Sequence, residues 1–134
     1  MFEPEPSAKP AVKTVLVVED DQDFGEVVVL ALSQETSYIP FLATDGEQAL
    51  AFMQDIEPDL VVVDYYLPDM TGIELYDHWH TSKQLKDVPA IMVSAALPAR
   101  DLQERGLLGL AKPLDLDELL ETTTSLLRST DKAR

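Results

Sequence analysis

The sequence predicts a single α/β domain built on a doubly wound parallel sheet, and three observations lead to that prediction. Short apolar runs rich in Val, Ile and Leu recur along the chain, with helix-like stretches between them. Such runs are typical of parallel strands that are buried on both faces. Pro40 falls inside one run and places that strand on a sheet edge, because proline cannot donate a ladder hydrogen bond. The 134 residues suffice for one core and leave no room for a second domain.

The alternation resolves into five strand and helix pairs. The stretch from Asp23 to Glu35 carries apolar residues at three- and four-residue spacing, which is typical of an amphipathic helix. Asp45 and Asp115 each stand three residues before a Gln or Glu, the pattern of a helix amino-terminal cap. The predicted strands are 14–18, 38–44, 59–64, 90–94 and 108–111, and the predicted helices are 23–35, 45–54, 73–82, 98–105 and a last helix after residue 115.

Composition narrows the classes of partner. With 25 acidic and 10 basic residues the net charge is -15, so we expect no nucleic-acid and no membrane partner, and favour cations and basic protein surfaces. The chain has no cysteine, which excludes disulfides and thiolate metal sites. The longest apolar run, Val27 to Leu32, is too short to span a bilayer. We therefore expect a soluble, cytoplasmic protein.

Four of the apolar runs end on polar residues that suit one shared site. Glu19 and Asp20 follow the first strand, Asp64 ends the third, and Ser94 and Lys112 stand at the ends of the fourth and fifth. Ligands of open α/β sheets bind where the carboxyl ends of the strands meet, so these side chains are predicted to converge. Three carboxylates, a hydroxyl and an ammonium suit a divalent cation, with Mg²⁺ expected, together with a phosphoryl group.

A simpler explanation stays open for each residue taken alone. An acidic residue after a strand often only caps the next helix. Ser94 alone is a turn-capping hydroxyl, and Lys112 alone is a surface lysine. Asp64 is harder to explain in this way, because a carboxylate placed beside two others is unfavourable unless a cation or a lysine offsets the repulsion.

Four motifs in the expected order carry a resemblance to a known family. The run VLVVEDD at 15–21, Asp64 followed by LPDMTG at 67–72, IMVSA at 91–95 and the pair Lys112-Pro113 resemble the signatures of the receiver domain of two-component response regulators. The resemblance covers about residues 13–129, with 1–12 as an extended Pro/Glu-rich tail and 130–134 as a carboxyl-terminal tail. It implies a flavodoxin/CheY-like fold with strand order 2-1-3-4-5, and a cis bond before Pro113.

The resemblance also implies a phosphoacceptor that is not an enzyme acting on a separate substrate. Asp64 would take a phosphoryl group from a phosphohistidine of a sensor histidine kinase or histidine phosphotransfer protein, catalysing its own phosphorylation and dephosphorylation. Ser94 would be the switch hydroxyl, and Lys112 would contact the phosphate. The downstream protein partner, the pathway and the oligomeric state are not encoded in any recognisable motif.

The metal ligands follow from the same resemblance. Asp20 would bind Mg²⁺ directly, and Glu19 would act through a water molecule. Asp64 would belong to the same metal group, and the backbone carbonyl of Tyr66 would supply a further ligand. Asp21, one place further on, is interpreted as a solvated neighbour.

The chain departs from the family pattern at four points. Gly109 stands where an aromatic residue is usual, three residues before Lys112, and the segment from Ser94 to Lys112 is about one helical turn short. The fourth helix is therefore predicted to be short or irregular, on the face formed by the fourth helix, fifth strand and fifth helix that commonly carries output. Tyr66 and Ala96 flank the site and are poorly suited to orient a hydrolytic water.

Two other functions remain as alternatives. A degenerate receiver would act as an interaction module independent of phosphorylation; the departures at Gly109 and in the fourth helix allow it, but the presence of all five pocket residues argues against it. A haloacid-dehalogenase-like phosphohydrolase would also use a strand-end Asp, but it needs a second carboxylate two residues on, where this chain has Tyr66. His78 and His80 are two residues apart, which points them to different helix faces and argues against a shared metal.

Overall fold

The structure is a computed structural model that describes residues 12–132, so most of the predicted amino-terminal tail lies outside it. Within these residues five strands alternate with five helices, as the sequence predicts. The elements are β1 (Thr14–Val18), α1 (Gln22–Glu35), β2 (Ile39–Ala43), α2 (Gly46–Asp55), β3 (Leu60–Asp64), α3 (Gly72–His80), β4 (Ala90–Ser94), α4 (Ala99–Arg105), β5 (Leu108–Ala111) and α5 (Leu116–Lys132).

The five strands form one parallel sheet in the order β2-β1-β3-β4-β5, which confirms the predicted topology. β2 lies at an edge, as Pro40 requires, and Pro40 pairs in register with Val15. β3 is central and all five of its residues are buried. A strand buried on both faces has no polar side to present, which explains its unbroken run of aliphatic residues before Asp64.

Each face of the sheet carries its own core, because successive side chains of a strand point to opposite faces. Val15 and Val17 of β1 pack on the side of α1 and α5, and Leu16 and Val18 pack on the side of α2, α3 and α4. The largest buried side chain, Trp79 of α3, belongs to the second core. This two-sided burial is the doubly wound architecture that the sequence predicts.

Local caps set where the helices begin. Asp45 accepts a hydrogen bond from the Gln48 N–H at 2.7 Å, and Asp115 accepts one from the Glu118 N–H at 3.2 Å, so both predicted caps are confirmed. α5 continues to Lys132, past residue 129. Within residues 12–132, no helix is both long and apolar enough to cross a membrane.

α4 is short, as predicted, and it is held at its carboxyl end. It has seven residues and ends at Gly106, whose φ of 64° lies in the left-handed region that favours glycine. The Arg105 guanidinium binds the Asp77 carboxylate of α3 through two hydrogen bonds of 2.7 Å. This two-point ion pair fixes α4 against α3.

Candidate functional site

The polar strand ends lie together at the carboxyl edge of the sheet. Glu19 directly follows β1, Asp64 is the last residue of the adjacent β3, and Lys112 directly follows β5. Glu19 and Asp64 line a small cavity together with Phe24 of α1 and Leu114 of the segment before α5. The Lys112-Pro113 peptide bond is cis, as the resemblance implies.

Lys112 links the two buried carboxylates. Its Nζ lies 3.2 Å from Glu19 Oε1 and 3.1 Å from Asp64 Oδ1. Glu19 is 4% exposed and Asp64 is 7% exposed, so water screens neither charge well. The ammonium also lies 5.5 Å from the centre of the Phe24 ring, within cation-π range. Lys112 is therefore held at the centre of the site by two charges and one aromatic face.

Burial is the largest single influence on the pKa values of Glu19, Asp64 and Lys112. Burial, aided by the charge of Asp64, raises the pKa of Glu19 to about 7. Burial also raises the pKa of Asp64, although the hydrogen bond from Lys112 opposes the shift. For Lys112, burial lowers the pKa, but the hydrogen bonds and charges of Asp64 and Glu19 outweigh it and the net shift is upward. One ammonium thus serves two buried carboxylates, so negative charge exceeds positive charge at the site when both carboxylates are ionised.

A third carboxylate completes an acidic group that fits a divalent cation. Glu19, Asp20 and Asp64 each offer one carboxylate oxygen, and these three oxygens lie within 4.8 Å of one another. Asp20 is exposed, whereas the other two side chains are buried. Carboxylate oxygens gathered in this way are the ligands that Mg²⁺ prefers, and a cation would offset the excess negative charge.

The backbone after Asp64 offers one more oxygen. Tyr66 and Thr71 face each other in an antiparallel bridge, flanked by hydrogen bonds from Gly72 N–H to Tyr65 O (2.6 Å) and from Leu67 N–H to Met70 O (3.2 Å). In such a pair the bridging residues use neither their own N–H nor their own C=O in the ladder. Both groups of Tyr66 are without a hydrogen-bond partner among residues 12–132.

The structure does not bring the Ser94 hydroxyl into the same cluster. Ser94 is 1% exposed, and its hydroxyl bonds to the backbone N–H and C=O of Ala96, each at 3.1 Å. The link to Lys112 is through the backbone, where the Lys112 N–H donates to Ser94 O at 3.0 Å. The Ser94 hydroxyl is therefore engaged by its own loop.

Leucine side chains fill the position of the missing aromatic residue. A Cβ built on Gly109 would lie 2.8 Å from Leu102 Cδ1 and 3.0 Å from Leu97 Cδ2, both too close for an ordinary contact. Leu97 stands on the loop that follows Ser94, and Leu102 belongs to α4. Gly109 thus marks a position where the β4-α4 loop and α4 pack directly on β5.

Other residues singled out in the sequence have structural surroundings of their own. Asp21 is exposed but is more than a solvated neighbour, because its carboxylate accepts the Phe24 N–H at 3.1 Å and caps α1. His78 and His80 are both exposed on α3, and His80 stacks on Tyr76 with a centroid distance of 5.0 Å.

Two contacts of the site were not foreseen from the sequence. Phe24 is one of several apolar residues of α1, and nothing in its spacing predicts that it approaches Lys112. Asp69 accepts hydrogen bonds from the backbone of α2, more than 20 residues earlier in the chain. No local pattern encodes a partner at that separation, although the position of Asp69 in the loop after Asp64 placed it near the site.

The sheet order β2-β1-β3-β4-β5, with an acidic group at the carboxyl ends of the strands, is that of a CheY-like α/β domain. Comparison with known proteins places the chain more closely. It belongs to the response regulator receiver domain family, whose profile matches residues 15–124. Members of this family are phosphoacceptors of two-component systems rather than enzymes in the usual sense, and they generally bind Mg²⁺ at an acidic pocket.

Individual relatives agree with the family. The chain is 32% identical to the phosphate regulon transcriptional regulatory protein PhoB of Pseudomonas aeruginosa, over 88% of this chain and 53% of PhoB. A response regulator receiver domain protein of Methanospirillum hungatei superposes with a TM-score of 0.85 at 25% identity, covering 92% of this chain and 100% of the other. The chemotaxis protein CheY4 of Vibrio cholerae gives 0.79 at 29% identity, covering 87% and 99%. The chain spans about half the length of the curated relatives it matches.

Proposed function

We propose that this chain accepts a phosphoryl group on Asp64 from the phosphohistidine of a sensor histidine kinase or a histidine phosphotransfer protein, in a Mg²⁺-dependent reaction. The observation that carries the proposal is the contact of Lys112 Nζ with the buried Asp64 carboxylate at 3.1 Å, inside a group of three carboxylates. Residues 13–129 form the proposed functional unit.

The covalent change in the proposed reaction is a single transfer of the phosphoryl group from nitrogen to oxygen. An oxygen of Asp64 forms a bond to phosphorus, the bond from phosphorus to the donor histidine nitrogen breaks, and that nitrogen keeps the electron pair. Negative charge spreads over the phosphoryl oxygens during transfer, so positioning and electrostatic stabilisation account for most of the catalysis. The Lys112 ammonium is already beside the accepting carboxylate and pairs with one phosphoryl oxygen. The Ser94 hydroxyl is proposed to exchange its bond to Ala96 for a second phosphoryl oxygen.

The proposed metal ligands are Asp20, Asp64 and the backbone carbonyl of Tyr66. Glu19 is proposed to act through a water molecule, because its Oε1 is paired with Lys112 and its Oε2 accepts the Asp21 N–H at 3.1 Å. When bound, Mg²⁺ neutralises charge on the carboxylates and on the incoming phosphoryl oxygens. The unpaired carbonyl of Tyr66 supports this ligand set.

We propose that the donor protein binds α1 through a surface that is apolar at its centre and basic around it. Val27 and Leu30 on α1 are 48% and 55% exposed, and α1 begins next to the acidic group. The net charge of -15 favours a basic surface on the donor protein. We expect binding to weaken as salt is raised, because exposed charges are screened.

The direct experiment is labelling with a small phosphodonor. Incubation of the protein with a low-molecular-weight acyl phosphate and Mg²⁺ should add one phosphoryl group, detected by intact mass and removed by hydroxylamine. Chelation of Mg²⁺ should suppress the adduct. A protein that binds Mg²⁺ but gives no adduct would instead support the interaction module that works without phosphorylation.

Magnesium is expected to raise the melting temperature of the protein. A ligand that binds only the folded state stabilises it by about 1.4 kcal/mol at ten times its Kd, which is about 5 °C for a domain of this size. The physical source is relief of repulsion among Glu19, Asp20 and Asp64. Asp20→Ala should weaken the response, whereas Asp23→Ala removes another exposed carboxylate, on α1, and should retain it. An unchanged melting temperature in millimolar Mg²⁺ would count against the metal site.

The phosphorylated state is expected to be long-lived. Tyr66, two residues beyond Asp64, has an exposed ring packed edge-on against Tyr65 at 4.7 Å, and Ala96 offers no group to orient water. Tyr66→Asn should shorten the lifetime of the phosphorylated state by roughly tenfold, because an amide can orient the hydrolytic water. This is a part of the 10²–10⁴-fold rate increase that a positioned general acid or base can contribute. Tyr66→Phe keeps the ring and should leave the lifetime unchanged. Time courses of the intact mass after donor removal decide the matter, and slower loss in Tyr66→Asn than in wild type would reverse the argument.

A further inference from the structure

The loop that follows Asp64 is attached to a helix that takes no direct part in the site. The Asp69 carboxylate accepts the Gly46 N–H through Oδ1 and the Glu47 N–H through Oδ2, both at 2.9 Å. The first N–H groups of a helix have no acceptor within the helix itself, and the amino-terminal end of a helix favours a negative charge. Desolvation raises the pKa of Asp69, but the hydrogen bonds from the backbone of Gly46 and Glu47, with one from its own backbone, together outweigh it, so the net shift is downward and the carboxylate stays ionised. Asp69 is therefore a cap supplied to α2 from another element.

A side-chain contact accompanies these two hydrogen bonds. A Cβ built on Gly46 would lie 2.5 Å from Met70 Sδ and 2.6 Å from Met70 Cγ. Only glycine leaves room for Met70 to lie this close to the first turn of α2. The tip of the loop is thus held to α2 by two charge-assisted hydrogen bonds and by one close apolar contact.

The base of the same loop is a small hairpin. The Tyr66 and Thr71 bridge, with its flanking hydrogen bonds between residues 65 and 72 and between 67 and 70, closes the loop below Asp69. The bridge turns the carbonyl of Tyr66 outward, away from the hairpin partner. The direction of that carbonyl therefore depends on the position of the hairpin, and the hydrogen bonds of Asp69 to α2 fix the position of its tip.

We infer that Asp69 is a positioning residue: by anchoring the 65–72 hairpin to the amino-terminal end of α2, it fixes the Tyr66 carbonyl as a ligand for Mg²⁺. This inference rests on the proposed metal site and adds a residue that touches neither the metal group nor the phosphoacceptor. Partners that orient metal ligands in this way typically contribute 10- to 100-fold to metal affinity. Because Tyr66 supplies one ligand among several, we expect an effect at the lower end, about tenfold.

The chain offers a matched control in Asp45. Asp45 also caps α2, through a 2.7 Å hydrogen bond from the Gln48 N–H, but it belongs to the segment before α2 and makes no hydrogen bond to the hairpin among the described residues. Asp69→Ala and Asp45→Ala each remove one negative charge and one cap from the same helix end. A purely structural or purely electrostatic effect would therefore be shared by both variants.

The experiment is a calorimetric titration of wild type, Asp69→Ala and Asp45→Ala with MgCl₂, with urea unfolding as the measure of stability. We expect both variants to lose stability, the Mg²⁺ Kd of Asp69→Ala to rise about tenfold, and that of Asp45→Ala to stay within about twofold of wild type. Amide hydrogen exchange at Leu67 and Gly72 should accelerate in Asp69→Ala and not in Asp45→Ala. If Asp69→Ala does not fold, Asp69→Asn keeps one acceptor oxygen and should weaken binding by about threefold.

Several results would overturn the inference. Equal Mg²⁺ affinity in wild type and in the folded Asp69 variant would show that the hairpin holds its ligand without Asp69. An equal loss of affinity in Asp69→Ala and Asp45→Ala would assign the effect to the helix end or its charge. A wild-type protein that binds no Mg²⁺ would contradict the proposed metal site itself. The titration of wild type therefore distinguishes failure of the metal site from failure of the inference about Asp69.

Discussion

Replacing Lys112 with methionine is expected to slow phosphorylation of Asp64 by roughly a hundredfold or more. Methionine keeps an unbranched apolar stem but removes the ammonium that lies 3.1 Å from Asp64 Oδ1. Without that charge, nothing in the described structure pairs with the phosphoryl oxygens on this side of Asp64 during transfer. A quenched time course of labelling with a small phosphodonor, measured by intact mass, gives the rate of phosphorylation.

The same variant should respond differently to metal. Loss of Lys112 leaves Glu19 and Asp64 as buried carboxylates without their shared counter-charge, so the metal-free protein should lose about 2 kcal/mol of unfolding free energy. Mg²⁺ should stabilise Lys112→Met more than wild type, because the cation then offsets all of the repulsion. Lys83→Met, at an exposed lysine after α3, is the matched control and should behave as wild type. Phosphorylation of Lys112→Met at the wild-type rate would show that the ammonium is not part of the transfer machinery.

The second large effect concerns where phosphorylation changes the structure. We expect the loop 66–70 and the segment 95–100, which runs from the β4-α4 loop into the first residues of α4, to change more than α5. In receivers of the usual kind, an aromatic residue three positions before the lysine follows the switch hydroxyl, and here that residue is Gly109. Leu97 and Leu102 already fill the space over Gly109, so neither a ring nor a cavity for one is available to carry the change to β5 and α5.

The contacts of Ser94 indicate which part of the structure is expected to change on phosphorylation. Its hydroxyl bonds to the N–H and C=O of Ala96, so drawing the hydroxyl toward a phosphoryl group would release Ala96 and the neighbouring Leu97. A packed element with two discrete arrangements is what such a switch requires, and the β4-α4 loop is the element in contact. We therefore propose that partners recognise this loop, the loop after Asp64, or α1.

Hydrogen exchange with and without beryllofluoride, a phosphoryl mimic, tests this expectation. Wild type should show its main protection changes in 66–70 and 95–100, and Asp64→Asn should show none. Dominant changes in residues 115–127, with both loops silent, would show that the usual output face is used although Gly109 replaces its aromatic residue.

Most of the fold could be predicted from the sequence because strand burial leaves a strong signal. The bounds of β1, β4 and β5 agree with the predicted strands 14–18, 90–94 and 108–111 to the residue. β2 was predicted two residues too long, because Tyr38 and Thr44 are compatible with a strand but lie outside the ladder. The edge position of β2 followed from Pro40 alone.

The candidate site was predictable only in part. The rule that strand carboxyl ends converge is sufficient to gather Glu19, Asp64 and Lys112, since each directly ends or follows a strand. It does not specify side-chain direction, so it could not show that Ser94 bonds to Ala96. Contacts between distant segments, such as Asp69 with α2, depend on how two loops meet in three dimensions and leave no local pattern.

The central claim is that Asp64 is the phosphoacceptor, and site-specific trapping tests it most directly. Wild type, Asp64→Asn and the control Asp21→Asn would be incubated with a small acyl phosphate and Mg²⁺, reduced with borohydride, digested and mapped by mass spectrometry. The account predicts a reduced Asp64 residue in wild type and in Asp21→Asn, where asparagine still caps α1, and no modified residue in Asp64→Asn. A modified residue recovered in equal yield from Asp64→Asn and from wild type would contradict the account.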